Sequence, residues 1–247
     1  MNPKAALGLL RSIAIYYNPL RMAQMRRHYA QLLQPGDLVF DVGAHVGTRS
    51  RAMRSAGARV VAIEPQEPFA GFLHRSLPRD VTLIRKALGP AETVARMSVS
   101  SLHPTVSSLS PDFAAEAVQA PGFDHVRWDR SQQVEVTTLD RLIADHGQPR
   151  FIKIDVEGYE EDVLSGLSRP VPMLSVEYLP GLPERSLRVV ERIERLGDYR
   201  FNPVVGESGR FLWPEWRDAR AVDHWLRGLP RDALSGDLYA RSEAAKP

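Results

Sequence analysis

Cysteine is absent from all 247 residues of this protein. That absence excludes a disulfide framework, thiolate zinc sites and any reaction that runs through a Cys nucleophile, such as methylation at C5 of pyrimidines. Charge of one sign is also lacking: 32 basic and 30 acidic side chains leave a formal charge of +2, without the strong positive bias of a nucleic-acid binder. Lys is scarce and nearly all the positive charge is Arg, a composition that fits phosphate recognition by planar forks and biased codon usage alike. No apolar run approaches the ~20 residues that span a bilayer. The longest early stretch, 5–17, is interrupted by Arg11, so a cytoplasmic protein without membrane insertion is expected.

What is present begins with a basic N-terminus. The first 36 residues hold Lys4, Arg11, Arg21, Arg26 and Arg27 and no acid. Residues 1–34 read as helices packed on the domain through Leu9, Leu10, Ile13, Leu20, Met25, Tyr29 and Leu32. The same composition also suits a basic amphipathic helix touching anionic lipid. One α/β domain is then expected over 35–234. Short apolar strands at 38–42, 59–63 and 81–84 alternate with helical stretches at 48–56 and 68–77, the pattern of a doubly wound parallel sheet with helices on both faces.

Between about 98 and 133 the pattern loosens into scattered Ser, Pro, Asp and His. A stretch of that length reads as an insertion serving as lid or binding loop, with Phe123 and Trp128 contacting the substrate. Regular structure returns at 134–137, a helix at 139–143, a strand at 151–154, a helix at 159–167, a strand at 173–176 and a helix at 184–196. Weaker strands near 199–205 and 210–213 predict an antiparallel finish to the sheet, and the polar tail 235–247 is expected to fray.

Ligands of doubly wound sheets bind beyond the carboxyl ends of the strands, beside strand one. This puts Asp41-Val42-Gly43-Ala44-His45-Val46-Gly47 at the ligand, with Asp41 near a cationic amine and Gly43 and Gly47 allowing close backbone approach. Glu64 ends strand two and is placed to accept hydrogen bonds from both ribose hydroxyls. The turn 85–89, including Ala87, passes near the base. Gly-x-x-x-Gly after an acid departs from the dinucleotide fingerprint G-x-G-x-x-G, and no Walker lysine is present. A phosphate-free nucleoside such as S-adenosyl-L-methionine suits the site better, with an NAD(P)-linked oxidoreductase as the alternative.

The least ordinary segment is Phe151-Ile152-Lys153-Ile154-Asp155-Val156-Glu157-Gly158-Tyr159-Glu160. A strand running into Asp, Glu and Gly sets Asp155 and Glu157 at the carboxyl edge, and alternation puts Lys153 on their side. An ion pair closing the sheet end is the structural alternative.

At these residues the chain resembles the FkbM family of methyltransferases: Asp41-Val42-Gly43-Ala44 with Gly47, Glu64-Pro65, Thr138-Leu139-Asp140, the segment 152–158 with Glu160, Val163-Leu164 and Gly166, and Glu177. His45 departs from the Asn usual in the family, and its charge is expected to vary near neutral pH. The resemblance implies a Rossmann-like class I methyltransferase fold, S-adenosyl-L-methionine as donor, and a hydroxyl of a sugar or natural product as acceptor. Asp155 is the first candidate for the acid facing the acceptor, Glu157 and Lys153 are its orienting partners, and His103 or His125 are further candidate bases. The carboxylates suit Mg²⁺ as well, but no separate ligand cluster is legible, so no metal is expected. The Asn/Asp-Pro-Pro-aromatic sequence of base N-methylation is missing, which disfavours nucleic acid as the acceptor. A non-catalytic binding module is the remaining alternative, against which the retained Asp41, Glu64 and Asp155 argue.

Overall fold

The computed structural model of the protein describes residues 3–118 and 125–244. Two helices lead the chain, α1 (Pro3–Tyr16) and α2 (Pro19–Leu32), the second started by Asn18, whose side chain accepts from the backbone N–H groups of Leu20 and Arg21. The α/β series follows as β1 (Leu38–Val42), α3 (Thr48–Ser55), β2 (Arg59–Ile63), α4 (Phe69–Ser76) and β3 (Thr82–Ile84). After β4 (Ala87–Leu88), β5 (Thr93–Val99), α5 (Phe113–Ala117) and β6 (Arg130–Thr137) come α6 (Leu139–His146), β7 (Phe151–Ile154), α7 (Glu160–Ser165), β8 (Met173–Tyr178), α8 (Pro183–Glu194), β9 (Tyr199–Val205), α9 (Ala219–Gly228) and β10 (Gly236–Ser242).

Seven strands form one sheet in the order β3-β2-β1-β7-β8-β10-β9, parallel except for β10, which runs antiparallel to both of its neighbours. This is the Rossmann-like methyltransferase architecture that the resemblance implies. Side-chain alternation feeds two cores. Leu38, Phe40 and Val42 of β1, with Ile152 and Ile154 of β7, pack against Leu142, Leu164, Leu187 and Val222 from the helices α6 to α9. Val39 and Phe151 point the other way, against Met25 and Tyr29 of α2, Met53 of α3 and Leu73 of α4.

Two stretches differ from the expectations. The tail from residue 235, expected to fray, supplies β10 in the interior of the sheet: Leu238, Tyr239 and Ala240 are buried, and seven residues pair with β9 and six with β8. Of the polar residues around its short apolar run, Asp237 and Ser242 are buried as well. Residues 210–213 form no regular strand; they meet β9 through an isolated bridge between Val204 and Phe211, a backbone hydrogen bond from Leu212 to Pro203 and the Asn202 side chain, which bonds to the backbone of Trp213. The segment 98–133 is partly regular, since β5 and β6 pair along their length and, with β4, make a second three-stranded sheet. Phe123 lies outside the described residues.

Candidate active site

A cavity of about 320 Å³ opens at the carboxyl ends of the strands, within the size range of small-molecule sites. Its floor is the turn after β1, where Gly43, Ala44 and His45 line it together with Thr48 and Arg49 at the start of α3. Gly43 has φ +81°, and a β-carbon there would lie 1.8 Å from the backbone oxygen of Asp155. The glycine is therefore required by the protein's own packing. Gly43→Val is expected to displace the loop after β7 and lower the unfolding midpoint together with ligand affinity. A midpoint equal to wild type in a thermal melt contradicts this.

Glu64 closes the β2 side of the cavity. Its Oε2 accepts from the backbone N–H of His45 and its Oε1 from that of Gln66, each at 2.8 Å. Burial pushes its carboxyl up to about 7 even though both backbone groups favour the charged form. His45 adopts φ +51°, a conformation in which Asn, Asp and His are enriched, so a histidine is accommodated at this turn. Its Nε2 sits 3.0 Å from the Ser12 hydroxyl, and its ring lies 4.4 Å from Phe69 and 5.0 Å from Tyr16. Burial lowers its pKa to about 4, so it stays neutral at neutral pH, contrary to the sequence-based expectation. Ala87 and Leu88 line the cavity where the base was expected, joined by Met97 of β5.

Three residues expected at the site from the strand-end motifs do not line the cavity. Alternation turns Asp41 to the α3 face, where it is buried and accepts a hydrogen bond from Ser50; it ties β1 to α3. Gly47 begins α3 at φ +77° against the Leu73 and Leu77 side chains. Lys153 is fully buried, with Nζ 2.9 Å from Asp237 and 3.2 Å from Asp155. It lies behind Asp155 rather than in the cavity lining. Burial opposes its charge, yet the two carboxylates outweigh this and hold its pKa above the ordinary value.

Asp155 and Glu157 do line the cavity, and the register adds Glu177 to them. Ile154 pairs with Val176, so Asp155 and Glu177 are neighbours one residue further along, and Asp237 pairs with Glu177 from β10. Carboxylate oxygens of Asp155, Glu157 and Glu177 lie within 4.8 Å of one another. Oε2 of Glu177 is buried without a hydrogen-bond partner. Burial first, and then the neighbouring carboxylates, push Glu157 and Glu177 well above the usual carboxylate range. Glu157 has φ +56°, and its loop is fixed from below: Oε1 of Glu160 accepts from the N–H groups of Val156 and Gly158, while Arg185 donates to the Gly158 carbonyl at 2.7 Å. A β-carbon on Gly158 would strike Phe113 at 2.4 Å.

Sequence reasoning missed the ionic chain behind this row. From Asp155 it passes through Lys153 to Asp237, then at 3.6 Å to Arg49 and at 3.1 Å to Glu207. Asp237 went unseen because its strand reads as tail, although Leu238-Tyr239-Ala240 was the available signal. His103 and His125 meet edge to face, ring centres 4.6 Å apart, outside the cavity lining, and Trp128 also stays outside, donating to the Val106 carbonyl. The segment between β5 and β6 instead contributes Pro104, Thr105, Ser107 and Leu109. From the N-terminal helices come Tyr16, Arg21 and Met25.

A family model described as the methyltransferase FkbM domain matches residues 41–227. The hexuronic acid methyltransferase AglP of Haloferax volcanii is 28% identical over 136 residues, covering 53% of this chain and 50% of the relative. The chain thus matches about half the length of that curated relative. Among solved structures, precorrin-6y C5,15-methyltransferase of Geobacter metallireducens aligns over 89% of this chain and 87% of its own, at TM-score 0.47 and 15% identity. Magnesium protoporphyrin IX methyltransferase of Synechocystis, with bound SAM, aligns over 95% and 84%, at TM-score 0.43 and 14% identity.

Proposed function

Because the chain belongs to the FkbM family of methyltransferases, we propose that it transfers the methyl group of S-adenosyl-L-methionine to a hydroxyl of a sugar or related small molecule. The observation that carries this reading is a single cavity lined by Glu64 of the β2 edge and by the carboxylates of Asp155, Glu157 and Glu177. Three strand spacings separate β2 from β8, about 14 Å, enough for a nucleoside on one side and an acceptor on the other. Glu64 suits the ribose hydroxyls, the Gly43–His45 turn the amino-acid end, and Ala87, Leu88 and Met97 the adenine.

The donor brings an already activated methyl group, so the protein's task is to align the acceptor and take its proton. Asp155 is the acid for that task, because Lys153 stands against it as a fixed cation. Glu157 and Glu177, whose pKa values burial raises, orient hydroxyls. This acidic row repels an anionic nucleophile and favours a neutral hydroxyl. Arg21 lines the cavity, is exposed and makes no ion pair among the described residues, which suits a carboxylate elsewhere on the acceptor. The printed name of the half-length relative, a hexuronic acid methyltransferase, supports the same acceptor class. Incubation with methyl-labelled adenosylmethionine and a uronic acid glycoside should give a base-stable methyl ether. A base-labile methyl ester, or no transfer to uronic acids or neutral sugars, overturns the hydroxyl assignment.

Ionised Glu64 accepts the ribose hydrogens, and its pKa of about 7 sets the sign of a pH effect. Affinity for adenosylhomocysteine should be greatest above pH 7 and fall about tenfold from pH 8 to pH 6 as Glu64 takes up a proton. The Glu64→Gln variant should bind weakly with a flat profile. Calorimetry that finds the wild-type profile flat removes the ribose role.

A further inference from the structure

The helices that form one wall of the cavity also carry an unpartnered apolar face. In α1, Ala5, Gly8 and Ser12 turn inward and are buried. Ser12 meets His45, and a β-carbon on Gly8 would contact the Ser101 carbonyl at 2.6 Å. The opposite side presents Leu7, Leu10, Arg11 and Ala14 to solvent at helical spacing. Leu7 is 58% exposed, Leu10 63%, Ile15 44% and Leu20, which begins the exposed side of α2, 81%. These are four of the nine large hydrophobic side chains exposed among the described residues, gathered within 14 positions. Packing of the domain does not account for them.

Charge says what covers this face. Of the 32 basic and 30 acidic side chains in the protein, five basic and no acidic ones fall in the first 36 residues, which leaves the rest of the chain net negative. Arg26 and Arg27 are exposed on α2 and make no ion pair among the described residues. A protein surface of mixed charge has no particular use for apolar side chains on helices whose charged residues are all basic, whereas an anionic bilayer matches both. Among the described residues no helix is long and apolar enough to cross a membrane, so the match is to a surface.

We propose that the α1–α2 pair docks on an anionic lipid surface, with Leu7, Leu10, Ile15 and Leu20 entering the headgroup boundary and Arg26 and Arg27 meeting lipid phosphates. Tyr16, Arg21 and Met25 of the same helices line the cavity, so docking brings the cavity wall to the bilayer. This inference stands apart from the methyl-transfer reading, and its test needs no turnover.

The full chain is spun with phosphatidylglycerol–phosphatidylcholine vesicles and with pure phosphatidylcholine vesicles, at low and high NaCl. It should pellet with the anionic vesicles alone and be released by salt. Leu7→Ser with Leu10→Ser should weaken the partition about tenfold or more, and Arg26→Gln with Arg27→Gln should weaken it and flatten its salt dependence. An unchanged unfolding midpoint shows that the altered helices stay packed. Should the Leu double variant melt early, Leu10→Trp reports directly, since its emission must shift to the blue on anionic vesicles. Wild-type protein left in the supernatant, binding unaffected by the Leu variants, or an unshifted Leu10→Trp spectrum overturns the proposal. So does a lipid-free dimer in sedimentation velocity that the Leu variants dissolve, which assigns the face to a second copy.

Discussion

Asp155→Asn is expected to lower turnover by roughly 10² to 10⁴ while changing cofactor affinity far less, the range for loss of a positioned general base. The substitution keeps the side chain's size and its place at the end of β7 but removes the charge opposite Lys153 and the ability to take a proton. Glu157 and Glu177 place carboxylate oxygens within 4.8 Å of that of Asp155, but among the described residues only Asp155 of the three is ion-paired with Lys153, so neither stands in its place. A Glu177→Gln variant separates the roles: it should raise KM for the acceptor more than it lowers kcat. Full turnover of Asp155→Asn at saturating donor and acceptor would make Asp155 a structural strand-end residue.

The second large effect is on stability. Lys153→Met removes a fully buried ammonium and leaves Asp237 and Asp155 without it. Breaking a buried pair from one side costs about 3 to 5 kcal/mol, because the buried carboxylate of Asp237 that remains stays desolvated. Arg49, at 3.6 Å from Asp237, offsets part of this. Urea unfolding should show the loss, and adding Asp237→Leu to Lys153→Met should recover some of it, since the second change removes the stranded charge. Equal stability of Lys153→Met and wild type contradicts the buried chain.

These two residues illustrate what could be seen in the sequence. The alternation of short apolar runs with helices gave the parallel sheet in order, and the motif at 151–160 marked the acidic end of β7, because local periodicity carries that information. Residues whose roles depend on pairing between distant strands were not visible. Glu177 matched the family pattern, but its place beside Asp155 comes from the β7–β8 register. Asp237 reaches Lys153 only because β10 inserts between β8 and β9. Asp41 was assigned to the ligand from its nearness in sequence to the right turn, and Lys153 to Asp155 as its orienting partner, without sight of Asp237. Their side chains instead follow the strand alternation to the α3 face, where Ser50 and Asp237 meet them. The histidines of the 98–133 segment looked available as bases because composition alone does not say which side chains of an irregular segment turn inward.

The most direct test of the account is calorimetric titration of adenosylhomocysteine and of NADH into the wild type and into Glu64→Ala. The account predicts that adenosylhomocysteine binds the wild type at one site, that Glu64→Ala weakens it by about 1 to 3 kcal/mol through the lost charge-assisted hydrogen bonds, and that NADH does not bind. Binding of NADH in place of adenosylhomocysteine, or undiminished affinity in folded Glu64→Ala, would contradict it.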